Sequence, residues 1–571
     1  VTESRADRCK SLIDSWKSET SSLIERWDEL QSVYDMDNFK RSFTPFEGCA
    51  SFGTSILKEL VDSLASNITN AIGSATPTFS AKTQNDQDGR DAEQCVQFVL
   101  DRCNFDSQLR LATQIACITG RVIFHVKDAD VVRGFYAARP NIQVYENDDD
   151  HLASIPAIEV IHPRDFLVYP TTCDNLDRAA AVGHRIPVRV REVKEIVKAE
   201  KSSIDINDID GMVISSLYTN GDTGVARATI NIDDEVVDLW YMLVKDQSGE
   251  YEKWVSVLYA ENVGIISEKE YTWSRPWYFA PSLSTSYRRF YPANSPAYSV
   301  LGIANQYNEC ANLEADIALM SVFPVVFGDK SVAFDTDKIE LKPFQINWVE
   351  GGANLEKFPM MESPAALIQL RDSLKVDARA AFGVSQLQVG QGLKADTSAT
   401  EASQIAQNAN VSINDYVQMF GGSDLQSMAS FIHEIVTKNF DVIKSVYQDS
   451  FPAESVDTLI VKPNWEVTGK SPYTNGVYIA EAIRKAVEFA GQTGQGAMID
   501  AEQALKSYIK ALNLPDGVEL LKSQSQLQNE LQQASMGAMP PGADGAGNPI
   551  PAGANQTLEQ LLGISGPNQS Y

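Results

Sequence analysis

The chain has 571 residues, 43% hydrophobic and 22% charged, with a formal net charge of −28. That length exceeds what one hydrophobic core serves, so roughly three or four folding units are expected, and the composition excludes wholesale disorder. The acidic balance excludes tight nucleic-acid binding over most of the surface, because such binding neutralises phosphates with Lys and Arg. Any DNA contact is expected to be local and weak.

Residues 1–120 read as helical. Leu12, Ile13, Trp16, Leu23, Ile24, Trp27 and Leu30 recur at helical spacing on one face. Apolar stripes predict further helices from Thr54 to Ile72, Asp91 to Cys103 and Ser107 to Ile118, the first ended by Gly73 and the last by Gly120. A strand follows over Val122–Val126. Residues 121–290 are β-rich, with strands expected at Ile155–Ile161, Phe166–Tyr169, Ala180–Ile186, Val236–Val244 and Trp254–Tyr259, and a short amphipathic helix from Arg189 to Lys201.

The pattern changes at Ser295. Ser295-Pro296 opens a helix that stops at Pro324, and Ser363-Pro364 opens another that stops at Gly383. A serine N-cap accepts an orphan N–H, and the missing donor of Pro costs nothing at the first helical position. Between these helices lie the β-leaning runs Val325–Phe327, Ile339–Leu341 and Ile346–Val349. A loop over 384–397 leads to Ser398-Ala399-Thr400-Glu401, a capping box that starts a long helix. Gly421-Gly422 interrupts that helix, which resumes from Leu425 to Tyr447. Leu459–Val461 and Trp465–Val467 read as a late strand pair. Residues 471–534 are helical again, and 535–571, rich in Gly, Pro, Ala and Asn, read as a flexible tail.

Chemistry is sparse. Gly390-Gln391-Gly392-Leu393-Lys394 is no phosphate loop: GxxxxGK[ST] is absent and no buried strand precedes it. The five histidines show no ligand spacing, and His433-Glu434 lacks the second His of a zinc-protease helix. Glu146-Asn147-Asp148-Asp149-Asp150 lacks the glycine and terminal Glu of a calcium loop. No G-x-S-x-G elbow occurs. The seven cysteines are scattered without CxxC, as buried small hydrophobes in a reduced compartment would be. The starting VTESRADRCK lacks an apolar signal core, and the run from Ile317 to Phe327, broken by Ser321 and Pro324, is too short for a bilayer. The expectation is a soluble, non-enzymatic chain without metal or cofactor, made in the cytoplasm. One charged stripe stands out: Arg371, Lys375 and Arg379 recur every four residues on one face of the second helix, opposite Leu367, Leu370, Leu374 and Ala378. Intersubunit ion pairs or a solvated face explain such a stripe as readily as a channel lining does.

The order helix, small β-module, helix, loop, capping box resembles the portal (head-to-tail connector) proteins of tailed bacteriophages, the short-tailed ones in particular. The run His162-Pro163-Arg164-Asp165-Phe166-Leu167-Val168-Tyr169-Pro170 with Asp174 and Asp177-Arg178-Ala179 is similar to that family's strand, turn and return strand. The resemblance covers the chain from about Thr54 to about residue 530. It implies an α+β portal fold: wing 1–294, stem helix 295–323, clip 324–362, second stem helix 363–383, tunnel loop 384–397, long wing helix and return strands 398–470, crown 471–534 and tail 535–571. It further implies a homo-oligomeric ring, normally a dodecamer, at one capsid vertex of the virion, passing double-stranded DNA through its axis. Terminase, adaptor and tail proteins, and capsid, scaffold or core proteins would be its partners, with no membrane. Gln391, Lys394, Arg371, Lys375 and Arg379 would meet DNA in the channel, and Lys330, Lys338 and Lys342 would serve the clip. The alternatives are a capsid-associated scaffold or internal core protein without a channel and, third, a hydrolase or nuclease of the packaging machinery.

Overall fold

The computed structural model describes residues 5–127, 156–205, 233–246, 253–324, 326–329, 346–349, 356–357, 365–384, 413–447 and 451–468, with short gaps inside these ranges and a few isolated positions outside them. The chain divides after Ala511 into two compact units, and every described residue lies in the first. The fold is mixed helix and sheet, α+β.

Four helices open the chain: α1 (Arg5–Tyr34), α2 (Ile56–Gly73), α3 (Asp86–Arg102) and α4 (Phe105–Thr119). In α1 the expected Leu12, Ile13, Trp16, Trp27 and Leu30 are buried, while Leu23 and Ile24 are only partly so. Ile56, Leu57, Leu60, Leu64 and Ile68 of α2 are all in the core. Gly120 ends α4 at φ 85°, with its N–H on Ala116 O. The left-handed φ favours glycine, and a Cβ there would stand 3.1 Å from Asn294 O.

Two antiparallel sheets follow. β2 (Ile123–Lys127) is flanked by β3 (Ala157–Ile161) and β9 (Tyr278–Phe279) in a three-stranded sheet. β4 (Phe166–Tyr169), β5 (Ala181–Arg189), β6 (Val236–Asp246), β7 (Lys253–Ala260) and β8 (Gly264–Glu270) form a five-stranded one. Alternation along β6 sorts its side chains. Trp240, Met242 and Val244 face α1, where Trp16 meets Trp240 edge-on at 5.6 Å. Tyr241 and Leu243 face the central core. Gly183 on β5 lies opposite Met242, and a Cβ there would be 2.5 Å from Tyr241 O, so only glycine fits. α5 (Val190–Ala199) covers the far end through Val190, Val193, Ile196 and Val197. The His162–Pro170 segment is the strand and turn expected: His162 Nδ1 accepts from the Arg164 N–H at 3.1 Å, and β4 returns as β5 with Tyr169 opposite Ala181.

The second half holds α6 (Pro296–Val322), β10 (Val326–Asp329), β11 (Ile346–Val349), β12 (Glu356–Lys357), α7 (Ala365–Phe382), α8 (Ser423–Lys438), α9 (Phe440–Tyr447) and β13 (Asn464–Val467). Three expectations are corrected. Leu425–Tyr447 is two helices, because the chain leaves helical geometry at Asn439. Leu459–Val461 is no strand: Val456–Leu459 is a 3₁₀ turn, and Ile460 is largely exposed. β13 pairs instead with β1 (Phe79–Lys82), Phe79 opposite Val467, which ties the end of this region to the first helices. Ile339–Leu341, Ser398–Glu401, the crown at 471–534 and the tail at 535–571 lie outside the described residues.

Candidate assembly and channel surface

The two helices expected as a strut form as α6 and α7, while Ser363-Pro364, read as the start of the second, lies outside the described residues. Ser295 Oγ accepts the Tyr298 N–H at 3.0 Å with Pro296 in the first turn, and Gly383 closes α7 at φ 74°. β10 pairs antiparallel with β12, Val326 opposite Lys357, and parallel with β11. The chain leaving α6 and the chain entering α7 therefore run side by side in opposite directions.

Burial grades along both helices. Ala297, Val300, Leu301, Ala304 and Cys310 of α6 and Leu374, Ala378 and Phe382 of α7 are buried. From Ile317 to Phe323 and from Ala365 to Ser373 no residue is buried. The outer ends still carry apolar side chains, Val322 67% exposed, Ile368 40% and Leu370 49%, and Val376, farther along α7 between buried Leu374 and Ala378, is 51% exposed. Leu370, expected on the apolar inner face, is thus open to solvent.

A polar stripe fixes the base of α6. Asn308, Asn312 and Asp316, one helical turn apart, bind the extended segment that precedes α2. Asn308 Oδ1 accepts the Thr54 N–H at 2.9 Å, Asn312 Oδ1 accepts the Phe52 N–H at 3.0 Å while its Nδ2 donates to Phe52 O at 2.9 Å, and Asp316 Oδ1 accepts the Ala50 N–H at 2.7 Å. The Arg41 side chain, 1% exposed, pairs with Asp316 and with Glu309 at 3.2 Å. Burial works against the Arg41 charge, but the hydrogen bond and charge of Asp316, aided by Glu309, outweigh it and raise its pKa. Three small amides and acids, Asn308, Asn312 and Asp316, recurring every four residues were the signal for this strap.

The basic stripe of α7 is engaged within the chain. Arg371 pairs with Glu314 of α6 at 2.5 Å and lies over the Tyr307 ring. Lys375 reaches Glu59 of α2 at 3.4 Å, and Arg379, 5% exposed, pairs with the same carboxylate. The stripe therefore clamps α7 to α6 and α2. Of the three, Arg379 is the most buried. Gln391, Lys394, Lys330, Lys338 and Lys342 lie outside the described residues.

Burial raises six of the seven thiols, Cys9, Cys95, Cys103, Cys117, Cys173 and Cys310. Burial pushes Cys9, Cys103 and Cys173 up to about 11 and Cys95 up to about 12, against the lowered values of reactive cysteines. No helix among the described residues is long and apolar enough to cross a membrane. No family model matches the chain, and no curated protein matches it.

Proposed function

We propose that this chain is the protomer of a phage portal: a ring at one capsid vertex through which double-stranded DNA is packaged and ejected, and on which terminase and then tail proteins dock. The observation that carries the reading is the strut, two antiparallel helices that leave a buried base and end apolar and exposed beside a small sheet. Fully burying one such Val, Leu or Ile is worth about 1.5–3 kcal/mol, and repetition around a closed heterologous ring covers every copy. The net charge of −28 suits a channel that must not hold DNA fast. The role is structural: terminase supplies the ATP hydrolysis, and capsid, scaffold and adaptor proteins are the other partners in the virion.

Negative-stain imaging of the purified chain is the test. Rings with a central hole support the reading; rods or monomers overturn it in favour of a scaffold or internal core protein. Robust ATP turnover by the isolated chain would overturn the non-enzymatic assignment.

A further inference from the structure

We propose that His125, His184 and Glu159 form a binding site for one divalent cation of the zinc class, held between the three-stranded and five-stranded sheets. His125 sits mid-way along β2, with Glu159 directly opposite on β3 and Tyr278 directly opposite on β9. Directly paired residues project to the same side of a sheet. His184 comes from β5 of the other sheet, its ring centroid 4.9 Å from that of His125. One ligand atom from each of the three residues lies within 4.8 Å of the others. Tetrahedral bonds of about 2.0–2.1 Å place ligand atoms about 3.4 Å apart, so small side-chain rotations close the site.

His125 is what requires an occupant. It is 1% exposed, and neither ring nitrogen has a hydrogen-bond partner among the described residues. Buried polar groups are otherwise satisfied almost without exception.

The surroundings are those of a second shell. The Tyr278 hydroxyl bonds His184 Nδ1 at 2.7 Å, orienting the ring so that Nε2 is the ligating nitrogen. The Lys127 ammonium pairs with Glu159 Oε2, which fixes the carboxylate beside the two imidazoles. Two imidazoles and one carboxylate suit zinc and disfavour calcium or magnesium, which take all-oxygen sets. Glu159, on an edge strand with its side chain 42% exposed, opens the entry path, and water completes the fourth position. Ligands 34 and 25 residues apart, on strands of two different sheets, are invisible to sequence spacing.

The test uses the full chain, stripped with a chelator and then titrated with ZnCl₂ or CoCl₂. The expected result is one equivalent of zinc per chain, a higher Tm and intense tetrahedral cobalt absorption. Glu159→Gln, which keeps the bond to Lys127 and lies at the surface, weakens zinc binding at least tenfold; Tyr278→Phe weakens it by about tenfold. His125→Gln abolishes binding, and should that variant not fold, Glu159→Gln decides. Absence of stoichiometric binding, or zinc affinity unchanged by Glu159→Gln, overturns the site.

Discussion

The body and the strut solve the same packing problem in opposite ways. In the body, the five-stranded sheet has both faces covered, α1 on one and the central core on the other, and its largest side chain, Trp240, is fully buried. In the strut, two helices pack on each other, are strapped at their base by polar and ionic bonds, and leave Val322, Ile368, Leu370 and Val376 open. The body buries its apolar residues within one chain, whereas the strut leaves apolar residues exposed that the proposed ring would cover. Core substitutions should therefore cost stability without touching association, and strut-tip substitutions the reverse.

The largest effect is expected from Trp240→Ala. Emptying this position beside Trp16 should cost about 3–5 kcal/mol, read as a lower urea midpoint. Arg41→Met attacks the base of the strut: Asp316 would remain buried with only part of its partners, a loss of about 3 kcal/mol, less than a wholly stranded charge because the Ala50 N–H stays. Amide exchange should rise first in residues 50–54.

His433 sharpens the contrast through pH. It is 6% exposed beside Trp465, and burial lowers its pKa to about 4. With the unfolded value near 6.5, the unfolded chain binds the extra proton first. The stabilisation is therefore complete above about pH 6.5 and lost as pH falls towards 4, by about 3 kcal/mol in all. His433→Phe should flatten that limb of the stability profile. The smallest stability effects, each under about 0.5 kcal/mol, are expected from Ile368→Ser and Leu370→Ser. Yet these variants should sediment as monomers where the parent chain does not.

What was legible in the sequence was what is locally determined. Ser295-Pro296 and Gly383 carry their own capping chemistry, and the strut helices run between them. The β4–β5 return was legible because its partners are neighbours in the chain. Illegible were features set by distant partners. β1 is four residues whose only cue is Trp465–Val467, far along the chain. The charges at Arg371, Lys375 and Arg379 were visible, but Glu314 and Glu59, which neutralise them, were two among 76 acidic residues. Leu459–Val461 shows the converse error, since an apolar run at the surface mimics a strand when burial is unknown.

The most direct test of the account is an electron cryomicroscopy reconstruction of the purified assembly. The account predicts a closed ring whose α6–α7 pairs line a central axis, tip against neighbouring tip, around a hole wide enough for a DNA duplex. Struts lying on the outer rim, or folded into a solid particle with no axial opening, would contradict it.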